Sequence, residues 1–222
     1  MAQCNFCSKK GFFLRVSKNG LCDPCEELVA IAVNRHIEII QESAELVDNS
    51  KVFKTRISRL DVILEHLDIL DSEYIEKGVF LNIDTKDMRK TMNEIKYQIF
   101  DEEAYKKTDE FLRKAGLAKT LNTKINNANK ALLFLKELQD DYGYLNEELG
   151  IRVMKYIHDA EYQDLLLKAE REEFKENHKK AIDKYKDVLF FLAKDDIDDN
   201  LQREIIQNIE RKIEDLTSSL KK

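Results

Sequence analysis

All four cysteines of this chain, Cys4, Cys7, Cys22 and Cys25, fall within its first twenty-five residues. They form two Cys-x2-Cys pairs separated by fourteen residues, a spacing that lets two sulfurs of each short arc face one ion. Four thiolates then close a tetrahedral shell, the geometry a structural zinc ion prefers. The chemistry expected here is one structural Zn2+ held by Cys4, Cys7, Cys22 and Cys25. The other reading of the same residues is two disulfides, or free thiols. A full shell of four cysteines leaves no open position for a substrate water, so the ion is not expected to catalyse.

The elements that must position these sulfurs are legible between and after them. Gly11-Phe12-Phe13-Leu14-Arg15-Val16 reads as a strand, and Ser17-Lys18-Asn19-Gly20 supplies turn chemistry, because Asn and Gly both tolerate positive φ. Asp23-Pro24-Cys25-Glu26 reads as a helix start, with Asp as N-cap, Pro at the first helical position and Glu three residues after the cap. The second cysteine pair then sits at a helix N-terminus, where free N–H groups and the helix dipole favour thiolate.

A knuckle, a hairpin and a helix carrying the second ligand pair resemble the treble-clef class of zinc finger over about residues 3–40. The step Leu21-Cys22-x2-Cys25 is similar to the corresponding step of GATA-type fingers. The helix here begins Glu26-Glu27 and runs into Leu28-Val29-Ala30-Ile31-Ala32-Val33 without a basic tail, which departs from GATA-like DNA reading.

Charge is unevenly distributed. Residues 1–22 hold Lys9, Lys10, Arg15 and Lys18 and no acid, giving +4, so the net charge of −6 leaves −10 on the remainder. The basic residues either offset the formal −2 of a four-thiolate zinc site or contact DNA or RNA, with Phe6 or Phe12 stacking on bases. Four charges are few for a duplex, and an acidic remainder opposes it.

Beyond Pro24, the chain's only proline, helical periodicity dominates. Charged residues make up 36% of the chain, where about a quarter is usual, a balance that favours long helices. Helices are expected over about 24–48, 52–71, 86–115, 119–141, 145–176, 178–194 and 199–220, with a non-helical stretch near 77–84 and a stop at Gly116. Met88, Met92, Ile95 and Ile99 mark one face of the third. Leu201, Ile205, Ile209, Ile213, Leu216 and Leu220 mark one face of the last, suited to an intramolecular seam or a homodimer contact.

Ile57, Leu64 and Leu67 recur as Ile125, Leu132 and Leu135 and as Ile182, Leu189 and Leu192, with the same offsets each time, which suggests helical hairpins reused along the chain. Around the third copy, Ala169 with Ala181-x3-Tyr185-x2-Val188-Leu189 resembles one tetratricopeptide repeat, over about 165–195. Leu165 stands at the usual aromatic, and Asp195-Asp196 at the usual proline. The resemblance implies a closely packed helix pair; a solenoid would need about three repeats. Residues 79–83 read either as an interhelix loop with buried hydrophobes or as a third strand on the zinc hairpin.

No catalytic constellation stands out. His36, His66, His158 and His178 are scattered and form no HExxH, and His36 alone is placed to assist the metal site. Six glycines supply no phosphate loop and no nucleophile elbow. Acidic runs such as Asp195-Asp196 and Asp198-Asp199 suit solvated turns and caps.

No apolar run approaches the roughly 18 residues that span a bilayer, and the N-terminus has no signal pattern. Reduced cysteines suit a reducing cytoplasm. The expected protein is mainly α. A treble-clef zinc module over residues 1–40 merges into the first helix, and an elongated antiparallel helical array, tetratricopeptide-like or bundle, follows over 41–222. It is expected to be non-enzymatic and cytoplasmic, with a protein partner and no membrane; the alternative is a nucleic-acid-binding regulator using Lys9, Lys10, Arg15 and Lys18, dimerised or controlled through the helices.

Overall fold

The computed structural model describes residues 1–195 and 199–220. Two short strands, β1 (Ala2–Gln3) and β2 (Lys10–Gly11), precede seven α-helices among the described residues. These are α1 (Asp23–Asn49), α2 (Phe53–Leu70), α3 (Thr85–Gly116), α4 (Leu121–Tyr142), α5 (Glu147–Phe174), α6 (His178–Leu192) and α7 (Asp199–Ser219). A single π turn, Asp71–Ile75, extends α2. No described helix is long and apolar enough to cross a membrane. The chain forms two compact units, Met1–Glu103 and Ala104–Lys222, and the border falls inside α3.

In the first unit α1 packs on α2. Val29, Val33, Ile40 and Val47 repeat at helical spacing on the buried face of α1, and Ile57, Leu60, Ile63, Leu67 and Leu70 do so on α2. The N-terminal part of α3 joins them through a seam in which Met88, Met92 and Ile95 are half-buried and Ile99 buried. Arg89 binds the carboxylates of Asp68 and Asp71, and the Thr85 hydroxyl donates to Asp71 at 2.5 Å. Lys96 pairs with Asp61 at 2.7 Å, and Phe53 meets Phe100 edge-on, ring centroids 5.7 Å apart.

In the second unit, consecutive helices pack in turn: α4 on α5, α5 on α6 and α6 on α7. Thr120 caps α4 by accepting the Thr123 N–H at 3.3 Å, and Asn146 caps α5 by accepting that of Leu149 at 3.1 Å. Ala128, Ala131 and Val153 form one small core. Ala169, Ala181, Tyr185, Val188 and Leu192 form another with Ile209 and Leu216 of α7. Ala169 and Ala181 are 0% exposed; as small residues they let α5 and α6 approach closely.

The seam is pinned by polar contacts. The Tyr185 hydroxyl donates to Glu173, and the Lys212 ammonium reaches both, at 3.0 Å from the hydroxyl and 3.2 Å from the carboxylate. This fixes α7 on the α5–α6 pair. The middle of the C-terminal stripe is therefore an intramolecular seam. Its register differs from the reading by spacing: Ile206, Ile209, Ile213 and Leu216 face the core, while Ile205 and Leu220 are exposed. The side chain of Leu201 lies outside the described residues, as do Asp196 and Asp198 of the acidic runs.

The three recurring triplets fall on α2, α4 and α6, all at buried or half-buried positions. One expected strand is corrected, and of the two readings of residues 79–83 the loop is the one found. The segment 11–16 contributes only Gly11 to a sheet, as the end of β2, which pairs antiparallel with β1 as Ala2 with Gly11 and Gln3 with Lys10. Phe12 and Phe13 both point to solvent, so the rest has no face to bury, and β1 offers an edge only two residues long. Residues 79–83 form no strand; Val79 is buried within a loop. At the start of α1 the cap is Cys22, without a side-chain cap bond, and Asp23 is already helical.

Because Ala181 is closed in by its neighbours, Ala181→Leu should lower the stability of the second unit by about 1–3 kcal/mol through overpacking. Urea denaturation followed by circular dichroism measures it; an unchanged midpoint would show that the α5–α6 seam has slack.

Candidate metal centre

The first cysteine pair lies in the turn that joins β1 to β2. The Ser8 N–H donates to the Cys4 carbonyl at 2.9 Å and the Cys4 N–H to the Lys9 carbonyl at 3.0 Å. Ser8 takes a positive φ of 58° there. The second pair is delivered by the turn at Ser17–Gly20, closed by the Gly20 N–H on the Ser17 carbonyl at 2.9 Å, and by the first turn of α1. Cys22 is the helix cap and Cys25 the third helical residue, with the Glu26 N–H donating to the Cys22 carbonyl at 2.9 Å. Pro24 sits in this first turn, where a missing N–H has no cost.

The four sulfurs lie within 4.8 Å of one another, close enough to hold a metal ion. Cys7 Sγ and Cys22 Sγ are 3.9 Å apart; a tetrahedron with metal–sulfur bonds of about 2.3 Å places its sulfurs about 3.8 Å apart. All four are free thiols, so the disulfide reading is not the one adopted.

Electrostatics set the sulfurs against one another. Burial is the largest influence on the Cys4 thiol and raises it. The N–H groups of Cys7, Cys22 and Phe6 with the Cys7 thiol outweigh that and bring it down to about 6. The Cys22 N–H is 3.4 Å from Cys4 Sγ. The opposite holds for Cys25, pushed up to about 12 by the Cys22 sulfur, then by burial and by the other two sulfurs. Four sulfurs so close cannot all be anionic without a cation among them.

The knuckle is docked on the helices of its own unit. The Asn5 N–H donates to the Gly20 carbonyl at 2.9 Å. Gly20 and Gly78 both take positive φ, and a side chain at Gly20 would overlap the Asn5 amide. Phe6 lies parallel to Tyr74 of the π turn, centroids 6.3 Å apart, with the Lys77 ammonium 5.2 Å from the Phe6 ring centre. These contacts replace the strand pairing considered for 79–83.

His36 does not belong to the four-sulfur cluster. Its Nδ1 lies 2.6 Å from Nδ1 of His66, beside Tyr74 at a ring separation of 6.1 Å. A second pair that sequence spacing could not show is His158 with Asp195, 37 residues apart: His158 Nε2 is 2.8 Å from the carboxylate, which also accepts from Gln202 at 2.9 Å. Phe191 stacks on His158 at 5.0 Å. The residues Lys9, Lys10, Arg15 and Lys18 are all exposed, and no ion pair among the described residues involves them.

Comparisons with known proteins supply no relative: no family model matches the sequence, no curated protein matches it, and no solved structure matches it.

Cys22→Ser should lose the bound metal and melt the start of α1, read as metal content per chain and as lost ellipticity; retention of a full equivalent would show that the remaining sulfurs suffice. The histidine pair gives a pH dependence. A bond between two Nδ1 atoms needs one ring unprotonated there, and burial, then the His66 charge, holds His36 below its usual value. The unfolded chain therefore binds more protons near pH 6, so this contribution is full above about pH 6.5 and is lost as pH falls. His66→Gln should flatten the decline in first-unit stability between about pH 7 and 5; an unaltered slope would place the titrating group elsewhere.

Proposed function

We propose that the protein is a zinc-stabilised α-helical interaction protein, an adaptor, scaffold or regulatory component working in the cytoplasm. The cage holds one structural Zn2+: soft thiolates, tetrahedral spacing and a helix N-terminus under the second pair all suit that ion. The knuckle, turn and helix fit a treble clef with a very short hairpin. With four cysteines as ligands the shell is complete, so the ion organises structure and leaves no vacant position for a substrate.

The observation that carries the interaction role is a set of large apolar side chains left exposed in the second unit. Ile151 and Met154 of α5 are 61% and 55% exposed, and Leu133 of α4 and Leu145 before α5 are 60% and 58% exposed. Ile151 and Met154 stand three residues apart and so share one helix face. Helical proteins that dock partners on a groove or face present apolar anchors at this spacing, and α5–α6 packs with the small residues of a tetratricopeptide-like pair.

Partners cross-linked to the full chain would be identified and rebinding measured with purified components. Ile151→Asp combined with Met154→Asp should weaken that binding at least about ten-fold, since truncating a central apolar anchor is worth about 2 kcal/mol or more, with helicity unchanged. Equal binding by wild type and variant would place the docking surface elsewhere; no partner surviving purification would remove the interaction role.

A further inference from the structure

We propose that the loop over residues 9–18 is a contact tip for an anionic lipid surface. Phe12 and Phe13 are adjacent and 84% and 98% exposed. Both lie at a bend, and Leu14 turns back so that its Cβ is 3.4 Å from where a Gly11 Cβ would stand. The rings thus occupy the apex. Lys9 and Lys10 precede it, Arg15 and Lys18 follow it, and residues 1–22 contain no acid. All four cations are exposed, and none is in an ion pair among the described residues.

The base of the loop is fixed while its tip is bare. The Cys4 N–H binds the Lys9 carbonyl at 3.0 Å, and the Ser17 N–H binds that of Leu21 at 2.8 Å. Cys7 and Cys22 hold the flanks together through sulfurs 3.9 Å apart. Two aromatic rings therefore stay in water while the cage keeps the backbone beneath them in place. That arrangement suits an occupant able to accept apolar groups without a preformed pocket.

A bilayer interface does so: aromatic side chains enter the boundary between headgroups and acyl chains, and Lys and Arg at the rim meet anionic headgroups. Single-stranded nucleic acid fits less well. Base stacking uses ring faces held on a platform beside a groove that follows the backbone, and a ring 98% exposed has no platform under it. No spanning helix is required for a peripheral contact of this kind.

The inference rests on the filled cage proposed above, so metal content is measured on every sample. Full-length zinc-loaded protein is sedimented with vesicles of phosphatidylcholine alone and of phosphatidylcholine mixed with phosphatidylglycerol. Binding is expected to the mixed vesicles only. Phe12→Ser with Phe13→Ser should lower partitioning at least about ten-fold, and Lys9→Gln with Lys10→Gln about five-fold per charge, the equivalent of about 1 kcal/mol each. Metal content and helicity should be unchanged, because these side chains are exposed.

Phe80→Ser, a 75% exposed ring elsewhere, should leave binding intact. A metal-loaded wild type that ignores the mixed vesicles overturns the proposal. So does one whose binding survives the double phenylalanine change, or one that binds a single-stranded oligonucleotide instead. Loss of metal in the wild type would mark a failure of the cage and remove the tip with it.

Discussion

Four sulfurs confined within 4.8 Å are the constraint on which the start of this protein depends. Hydrophobic burial cannot supply it: among residues 1–22 the buried apolar side chains are Cys4, Leu21 and Cys22, too few to order such a segment. The sulfurs take the place of a core. They can do so only if their mutual repulsion is neutralised, and the Cys25 thiol, pushed up first by the Cys22 sulfur, registers that conflict. A cation would relieve it, and its binding energy would become folding energy for the knuckle and for the first turn of α1. Asn5 and Phe6, set between ligands Cys4 and Cys7, then carry that order onto Gly20, Gly78 and Tyr74.

The second unit solves a different problem. It has no cysteine and depends on helix packing, where closeness is set by Ala128, Ala131, Ala169 and Ala181. Apolar packing of this kind tolerates sliding, since one Leu replaces another after a turn. The polar groups remove that freedom. Tyr185 must meet both Glu173 and Lys212, and Asp195 must meet both His158 and Gln202, so a shift of one helix along another would leave part-buried charge without its partner. These contacts contribute to register more than to raw stability.

This division explains what the sequence made legible. Helix positions were readable to within a few residues, because a period of 3.6 and few glycines leave little else for the chain to do. The cysteine spacing was readable because ligand geometry is local to each Cys-x2-Cys arc. The strand over 11–16 was misread: aromatic and β-branched composition signals a pleated, half-buried surface, yet Phe12 and Phe13 bury nothing here. The pairs His36–His66 and His158–Asp195 were invisible, since residues 30 and 37 positions apart meet only through tertiary packing. The C-terminal stripe ends on an exposed Leu220 and takes Ile205 where Ile206 faces the core. Both lie beside the boundary of an apolar face about 100° wide, and a neighbouring helix selects between them.

The misread strand is also the most informative departure. Where local composition and global structure disagree, the site is commonly strained or functional. At 12 and 13 no strain is involved, because polar residues would satisfy the same bend without altering the cage. Two exposed phenylalanines side by side add an aggregation liability and contribute no packing to the isolated chain. Neither the metal nor the fold requires them. The requirement therefore lies outside the chain, in a surface that takes apolar rings between cations. The cage contributes by fixing the ends of the loop that presents them.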